Sequence, residues 1–295
     1  MFKPNLISIS ALLCASNAYC AGINLNTDIT ELDNVSINGK LSNTYASSAS
    51  MGLVLSEQIE QRPISRAGEI LETVPGLIVT QHSGEGKANQ YFLRGFNLDH
   101  GTDMATFIDG MPVNMRTHGH GQGYTDINFI IPETIESLEY KKGTFYASEG
   151  DFANAGTVRL HTKENVEKST AEISLGEYNY KRALLLTGNE DTIFAIDSSQ
   201  YDGPWESKQE QQKTSSLLKH SMGDTINGGN LTLMAYKNDW NATDQIPERL
   251  IGVDGINRFS NLDEDSGGHS HRYSLSASGW KDISGNTLEA SVYAI

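Results

Sequence analysis

Four of the chain's eight histidines, His82, His100, His118 and His120, fall in three polar, loop-like stretches at 82–89, 97–103 and 113–124. Asp99, Asp103 and Asp126 lie near them in sequence. Imidazole nitrogen and carboxylate oxygen together form a donor set that suits zinc, copper, nickel or iron. His118-Gly119-His120 puts two imidazoles on one flexible turn, able to close on a metal or face a haem. His100, His118 and His120 are therefore the candidate metal ligands. With His82 and Arg116 they form the candidate ligand-binding set. A plainer reading stays open, in which these are hydrogen-bonding loop residues packed against neighbouring structure. A further pair, His269-Ser270-His271, closes the longest loop-like stretch, 239–270.

Other chemistries find no support. There is no Gly-x-Ser-x-Gly, no His-Glu-x-x-His and no phosphate-cradling loop, so an enzyme is not expected. A net charge of −15 argues against a nucleic-acid partner, which needs a basic patch. The only two cysteines, Cys14 and Cys20, sit in the first twenty residues. That leaves the expected mature chain without a disulfide framework or a thiolate metal site.

The first twenty residues read as a secretory signal peptide: Lys3, a short apolar stretch, then small residues. Cys20 follows Asn-Ala-Tyr, a poor lipoprotein signal. Residues 21–50 are rich in Asn, Ser and Thr and read as a flexible arm. Within it Leu32, Val35 and Ile37, beside Asp33, form an extended segment able to add as a strand to a partner's sheet edge, or else to open the following domain.

Residues 51–165 read as a compact α+β unit. Ser65 is expected to cap a helix through Ile70, Leu71 and Val74 that ends at Pro75-Gly76. Strands are expected at 77–80, 91–96, 104–108, 135–140 and 158–161, with a turn at Asp109-Gly110 and a short helix or turn opened by Pro132.

From about 166 to 295 the texture changes to two-residue alternation. Candidate strands are 170–176, 180–188, 192–201, 213–221, 229–238, 271–280 and 286–295. Short connections alternate with long ones, apart from a short first connection at 177–179. That layout is the one expected of an outer-membrane β-barrel, with a water-soluble sandwich as the alternative. Tyr201, Trp205, Tyr236, Trp240 and Trp280 near strand ends suggest an interfacial aromatic girdle. Seven strands do not close a bacterial barrel, so a fragment or truncated reading frame is expected.

Several blocks resemble, in order, the plug of TonB-dependent outer-membrane receptors. Leu32-Asp33-Asn34-Val35-Ser36-Ile37-Asn38-Gly39 looks like a TonB box. Ile70-Leu71-Glu72-Thr73-Val74-Pro75-Gly76-Leu77 resembles the family's helix and Pro-Gly-Val. Leu93-Arg94-Gly95-Phe96, Phe107-Ile108-Asp109-Gly110-Met111-Pro112, Ile135-Glu136-Ser137-Leu138-Glu139-Tyr140-Lys141-Lys142-Gly143 and Ala155-Gly156-Thr157-Val158 complete the set. Thr144 stands where the family usually has proline, and Ala147-Ser148-Glu149-Gly150 replaces the common Tyr-Gly-Ser.

The resemblance implies a monomeric receptor in the outer membrane of a Gram-negative bacterium. Its barrel would have about 22 strands enclosing the plug. The partners implied are outer-membrane lipid, an extracellular ligand, and the TonB inner-membrane energy-coupling complex, which would pair with residues 32–38. The ligand class implied is a siderophore, haem or metal ion, with a glycan or vitamin as the alternative and an inert truncated product as another. No cofactor is required. Arg94 and Glu139 are expected in plug strands, and the resemblance gives them a part in holding plug to barrel. The three histidine-bearing loops are expected to face the ligand.

Overall fold

The computed structural model describes residues 7–8, 50–81, 86–243 and 245–295. The segment 32–39, His82 and the signal-peptide cleavage region lie outside the described residues. Of the first twenty residues, Ile7–Ser8 (β1) are described, as a two-residue strand paired to the edge strand Thr170–Leu175.

The α+β expectation holds. Met51–Leu55 (β2) runs into a short helix, Ser56–Glu60 (α1). A 3₁₀ helix follows at Ala67–Thr73, with Arg66 rather than Ser65 at its N-cap. Sequence alone favours the serine, but the cap is made in reverse. The Glu69 carboxylate accepts from the backbone N–H groups of Ser65 (2.7 Å) and Arg66 (3.2 Å). Pro75 cannot continue a helix, and Gly76 takes the left-handed conformation (φ 81°) that turns the chain into Leu77–Thr80 (β3).

Gln90–Leu93 (β4) and Phe96–Asn97 (β5) form a tight hairpin, not the single strand expected over 91–96. Arg94 (φ 53°) and Gly95 (φ 81°) form its turn, which matches the twist of the flanking strands. β3, β4 and β5 make a three-stranded sheet. The larger plug sheet has the order β2-β8-β9-β6-β7. Its members are Met104–Ile108 (β6), Met111–Pro112 (β7), Ile135–Lys142 (β8) and Gly156–Thr162 (β9). β6 and β9 pair in parallel; the other neighbours are antiparallel. Ile70, Leu71, Tyr91, Leu98, Ile108, Leu138 and Leu160 are fully buried in one apolar cluster between these layers.

The departures near the end of the plug have a structural reason. Glu149 is buried, and its carboxylate accepts from Lys141 (2.6 Å) and from Arg159. Burial pushes its pKa up, but the two cations and their hydrogen bonds outweigh it and hold the group below the usual carboxylate range. The carboxylate therefore ties β8 to β9.

Beyond the plug, seven strands form an antiparallel meander. They are Thr170–Leu175 (β10), Lys181–Gly188 (β11), Thr192–Tyr201 (β12), Gln211–Gly223 (β13), Asn227–Asn241 (β14), Gly267–Ile283 (β15) and Asn286–Ala294 (β16). The sheet is open among the described residues. Turns at 189–191, 224–226 and 284–285 are short, while the connections at 202–210 and 242–266 are long.

The two faces differ in chemistry. Phe194, Leu218, Leu233 and Leu275 lie in one cross-strand row and are all exposed on the outer face. Leu185, Ile196, Leu231 and Tyr273 extend that apolar band. Their neighbours in sequence point inward and are mixed: Leu184, Ile193, Ala195, Asp197, Lys219 and Asn238 are all buried. An apolar outer band with charged and polar groups among the interior residues is the inverse of a water-facing sandwich and matches a lipid-facing wall. The aromatic residues correct the girdle expectation. Tyr236 is fully buried, and Tyr201, Trp240 and Trp280 share the parity of the inward set on their strands. Trp205 stands in a loop beside Phe259 (ring centroids 6.2 Å).

Candidate functional site: imidazoles and a carboxylate on the plug, tied to the wall

His100 is placed by its backbone. Asp99 on one side is left-handed (φ 51°), and Gly101 on the other has φ 108°. The Asn97 carboxamide accepts from the Asp99 N–H (2.8 Å), and the Tyr91 N–H donates to the Asp99 carbonyl (2.9 Å). This kink buries the imidazole to 2% exposure. Its Nδ1 lies 2.9 Å from the Ala88 carbonyl and 3.0 Å from that of Asn89. Carbonyls only accept, so Nδ1 carries the hydrogen and the lone pair sits on Nε2. Nε2 faces Asp99 Oδ1 at 3.8 Å.

The second loop brings His120 to the same point. Met115 and Tyr124 pair as a bridge that closes the loop, leaving 116–122 as its tip. His120 Nε2 lies 4.0 Å from the same Asp99 oxygen, and its ring meets that of His100 edge-on at 4.4 Å. His118 stacks flat on Tyr124 (3.9 Å, 10°), and its Nδ1 accepts from the His120 N–H (3.1 Å). Burial lowers the pKa of His100 and of His118, and the neighbouring His120 lowers both further. Neutral imidazole is the metal-binding form. Asp99, His100 and His120 offer three ligand atoms all within 4.8 Å of one another.

The other expected members are elsewhere. Asp103 accepts from Asn154 (2.8 Å). Arg116 lines an open depression of about 420 Å³ with Asp103, Asp151 and Phe152. His269 and His271 are not in a loop but on the exposed, outward face of β15. Asp126 faces the barrel strands, and burial pushes its pKa up to about 6.

Sequence reading missed Asn114, which fastens the two loops together. Its side-chain nitrogen reaches the carbonyls of Gly101 (3.1 Å), Met104 (2.9 Å) and Gly123 (3.1 Å), while its oxygen accepts from the Thr106 N–H (2.7 Å). Asn114→Ala leaves all four partners to be re-satisfied. It is expected to cost about 2 kcal/mol, read as a lowered urea midpoint, and to speed protease cleavage within 113–124.

The contacts between plug and wall were also not legible. Arg182 on β11 makes a two-pronged ion pair with Glu133 of the plug (2.8 and 2.9 Å) and bonds Asp197 on β12 (2.8 Å). Lys219 on β13 donates to the Thr162 carbonyl (3.0 Å) and hydroxyl (3.1 Å), close to Asp109 (3.8 Å). Arg272 on β15 lies over Phe129 (4.7 Å) and reaches the Pro112 carbonyl (3.3 Å). Trp240 packs directly on the backbone at Gly86. Arg94 and Glu139 make no such contact in the described structure. Arg94 is exposed at a hairpin turn, and Glu139 is exposed beside His161 (3.8 Å).

A mixed-sheet plug seated on the inner face of an antiparallel wall with an apolar outer band is the architecture of a plug domain joined to barrel strands. Residues 43–157 match the family model of the TonB-dependent receptor plug domain, and this part of the chain is a plug domain of that family. It is similar to the vitamin B12 transporter BtuB of Vibrio vulnificus, 29% identical over 131 residues, which are 44% of this chain and 20% of that protein. It is also similar to the ferric enterobactin receptor PirA of Pseudomonas aeruginosa, 27% identical over 40% of this chain and 17% of the relative. The chain spans about a fifth of the length of the curated relatives it matches.

Among solved structures, the ferric citrate transporter FecA in its unliganded form aligns with a TM-score of 0.66 at 13% identity, over 83% of this chain and 39% of that one. The copper transporter OprC aligns with a TM-score of 0.60 at 20% identity, over 82% of this chain and 36% of that one. These likenesses establish the fold.

Proposed function

We propose that the chain is the plug and leading wall of a TonB-dependent transporter in a Gram-negative outer membrane, importing a scarce ligand that carries a metal. The observation that carries this reading is the convergence of Asp99, His100 and His120 on two plug loops packed beside the barrel wall. The outer membrane has no nucleotide supply, so work must arrive from the inner membrane. Residues 32–38, with Leu32, Val35 and Ile37 in an otherwise polar stretch, suit strand addition to TonB. Deleting 30–40 is expected to abolish growth that depends on the receptor while leaving ligand binding to the purified protein within about twofold. Unchanged uptake after that deletion would sink the arm's role. Growth of a gene-deletion strain starved in turn of iron, zinc, copper and selected carbon sources tests the ligand class.

A second reading is favoured by one finding. The first relatives are named as vitamin B12 transporters, which supports a vitamin as the ligand. A growth defect confined to vitamin limitation would select it.

A further inference from the structure

We infer that the plug binds a bare first-row divalent cation directly, through one carboxylate oxygen of Asp99 and the Nε2 atoms of His100 and His120. This rests on the import reading and narrows it, from a metal-bearing ligand to the ion itself.

The donor chemistry comes first. Two imidazoles and one carboxylate suit Zn²⁺, Cu²⁺ or Ni²⁺ and disfavour Ca²⁺ and Mg²⁺, which take oxygen ligands. Around a tetrahedral Zn²⁺, with bonds of about 2.0–2.1 Å, ligand atoms stand about 3.4 Å apart. The two imidazole nitrogens lie 3.8 and 4.0 Å from Asp99 Oδ1 and all three ligand atoms lie within 4.8 Å of one another, so binding needs a closure of roughly half to one and a half ångströms.

The side chains divide the work of that closure. His100 is held at both the ring and the backbone: its ring is buried, and its Nδ1–H is fixed on two carbonyls. Metal-ligating histidines have this support because it sets the tautomer and aims the lone pair. Asp99 and His120 are 54% and 40% exposed, so they can move inward onto an arriving ion. His118 is not a ligand here. Stacked on Tyr124 and accepting from the His120 N–H, it positions His120.

Three protein ligands leave at least one coordination position for water. A site that must hand its ion onward needs that open position, whereas closed four-ligand sites are structural. The site is also joined to the wall. The Ala88 carbonyl accepts from His100, the Ala88 N–H donates to the Tyr124 hydroxyl (3.0 Å), and two residues on Asp126 faces Ser270 of β15.

The test is calorimetric titration of the receptor, purified in detergent, with Zn²⁺, Cu²⁺ and Ni²⁺ separately. One ion per chain is expected. His120→Ala and Asp99→Asn should each weaken binding at least about 100-fold, while the paired change of His269 and His271 to alanine leaves it unchanged. Asp99→Asn is the safe variant, because asparagine tolerates the left-handed backbone there and the position is exposed. His118→Phe, which keeps the stack, should weaken binding only about tenfold. The absence of saturable binding of all three ions overturns the inference, as does binding that survives both His120→Ala and Asp99→Asn. A receptor that binds no ion yet restores growth on a ferric chelate removes the ion site and leaves import standing. A receptor that binds the ion but whose loss affects no uptake removes the import reading instead.

Discussion

Replacing Arg182 by methionine is expected to lower the stability of the receptor by about 3 kcal/mol and to release the plug from the early wall strands. Arg182 is the hinge-pin of a cross-domain network. Glu133, at the first turn of the 3₁₀ helix Pro132–Thr134, receives both prongs of its guanidinium, while Asp197 receives the third nitrogen. Asp197 is 1% exposed, with Lys213 at 3.6 Å as its other cation. Methionine fills a similar volume but leaves a buried carboxylate with one distant partner, and that is the case in which breaking a buried pair costs most. Urea unfolding followed by limited proteolysis checks it: the midpoint should fall, and cleavage near residue 133 should accelerate. Changing Arg182, Glu133 and Asp197 together to apolar residues should recover most of the loss. A triple variant as unstable as the single one would mean that the uncompensated charge is not the cause.

Gly101→Val is expected to be the most damaging single change at the candidate site. Gly101 has φ 108°, where a β-branched residue is strained, and an added Cβ would stand 2.4 Å from the Thr125 hydroxyl. Strain of about 1–3 kcal/mol and overpacking of about 1–3 kcal/mol act on the same residue. Both are relieved by moving His100, whose carbonyl accepts from the Thr125 N–H at 2.7 Å. The expected result is a lowered urea midpoint together with loss of protection of the Thr125 amide in hydrogen exchange. Gly119→Ala is the matched control: a Cβ there meets nothing, and stability should change by less than about 0.5 kcal/mol.

Much of this architecture is legible in the sequence because it depends on local rules. Alternation in β10 to β16 announces strands and their two faces, and Asp109-Gly110 announces its turn. The candidate site was half legible. His100, His118 and His120 are visible as donor types, and the structure gathers His100 and His120 on Asp99 while assigning His118 to support. What pattern could not give is partnership across distance. Glu133 and Arg182 are 49 residues apart, and Lys219 and Thr162 are 57. Nothing local marks an arginine in a strand as the partner of a glutamate in another layer. The same limit misplaced Arg94, whose family block reads as a strand until Gly95 is seen to make a turn beside it. It also misassigned Tyr236 and Trp240, because residue type suggested lipid headgroups where strand parity turns them toward the plug.

β2 has β8 as its single neighbour in the plug sheet, and its first residue follows directly on the arm at Ser50, whose carbonyl accepts from the Lys142 N–H at 2.9 Å. Any tension applied on the N-terminal side of Ser50 would therefore meet the sheet at an edge strand. Pairs from Met51/Lys141 to Leu55/Ser137 can part in succession, like teeth of a fastener, without the parallel β6–β9 seam having to yield at once. If the chain were pulled from that side, the rim of the plug would yield first and the folded centre would remain to guide its return.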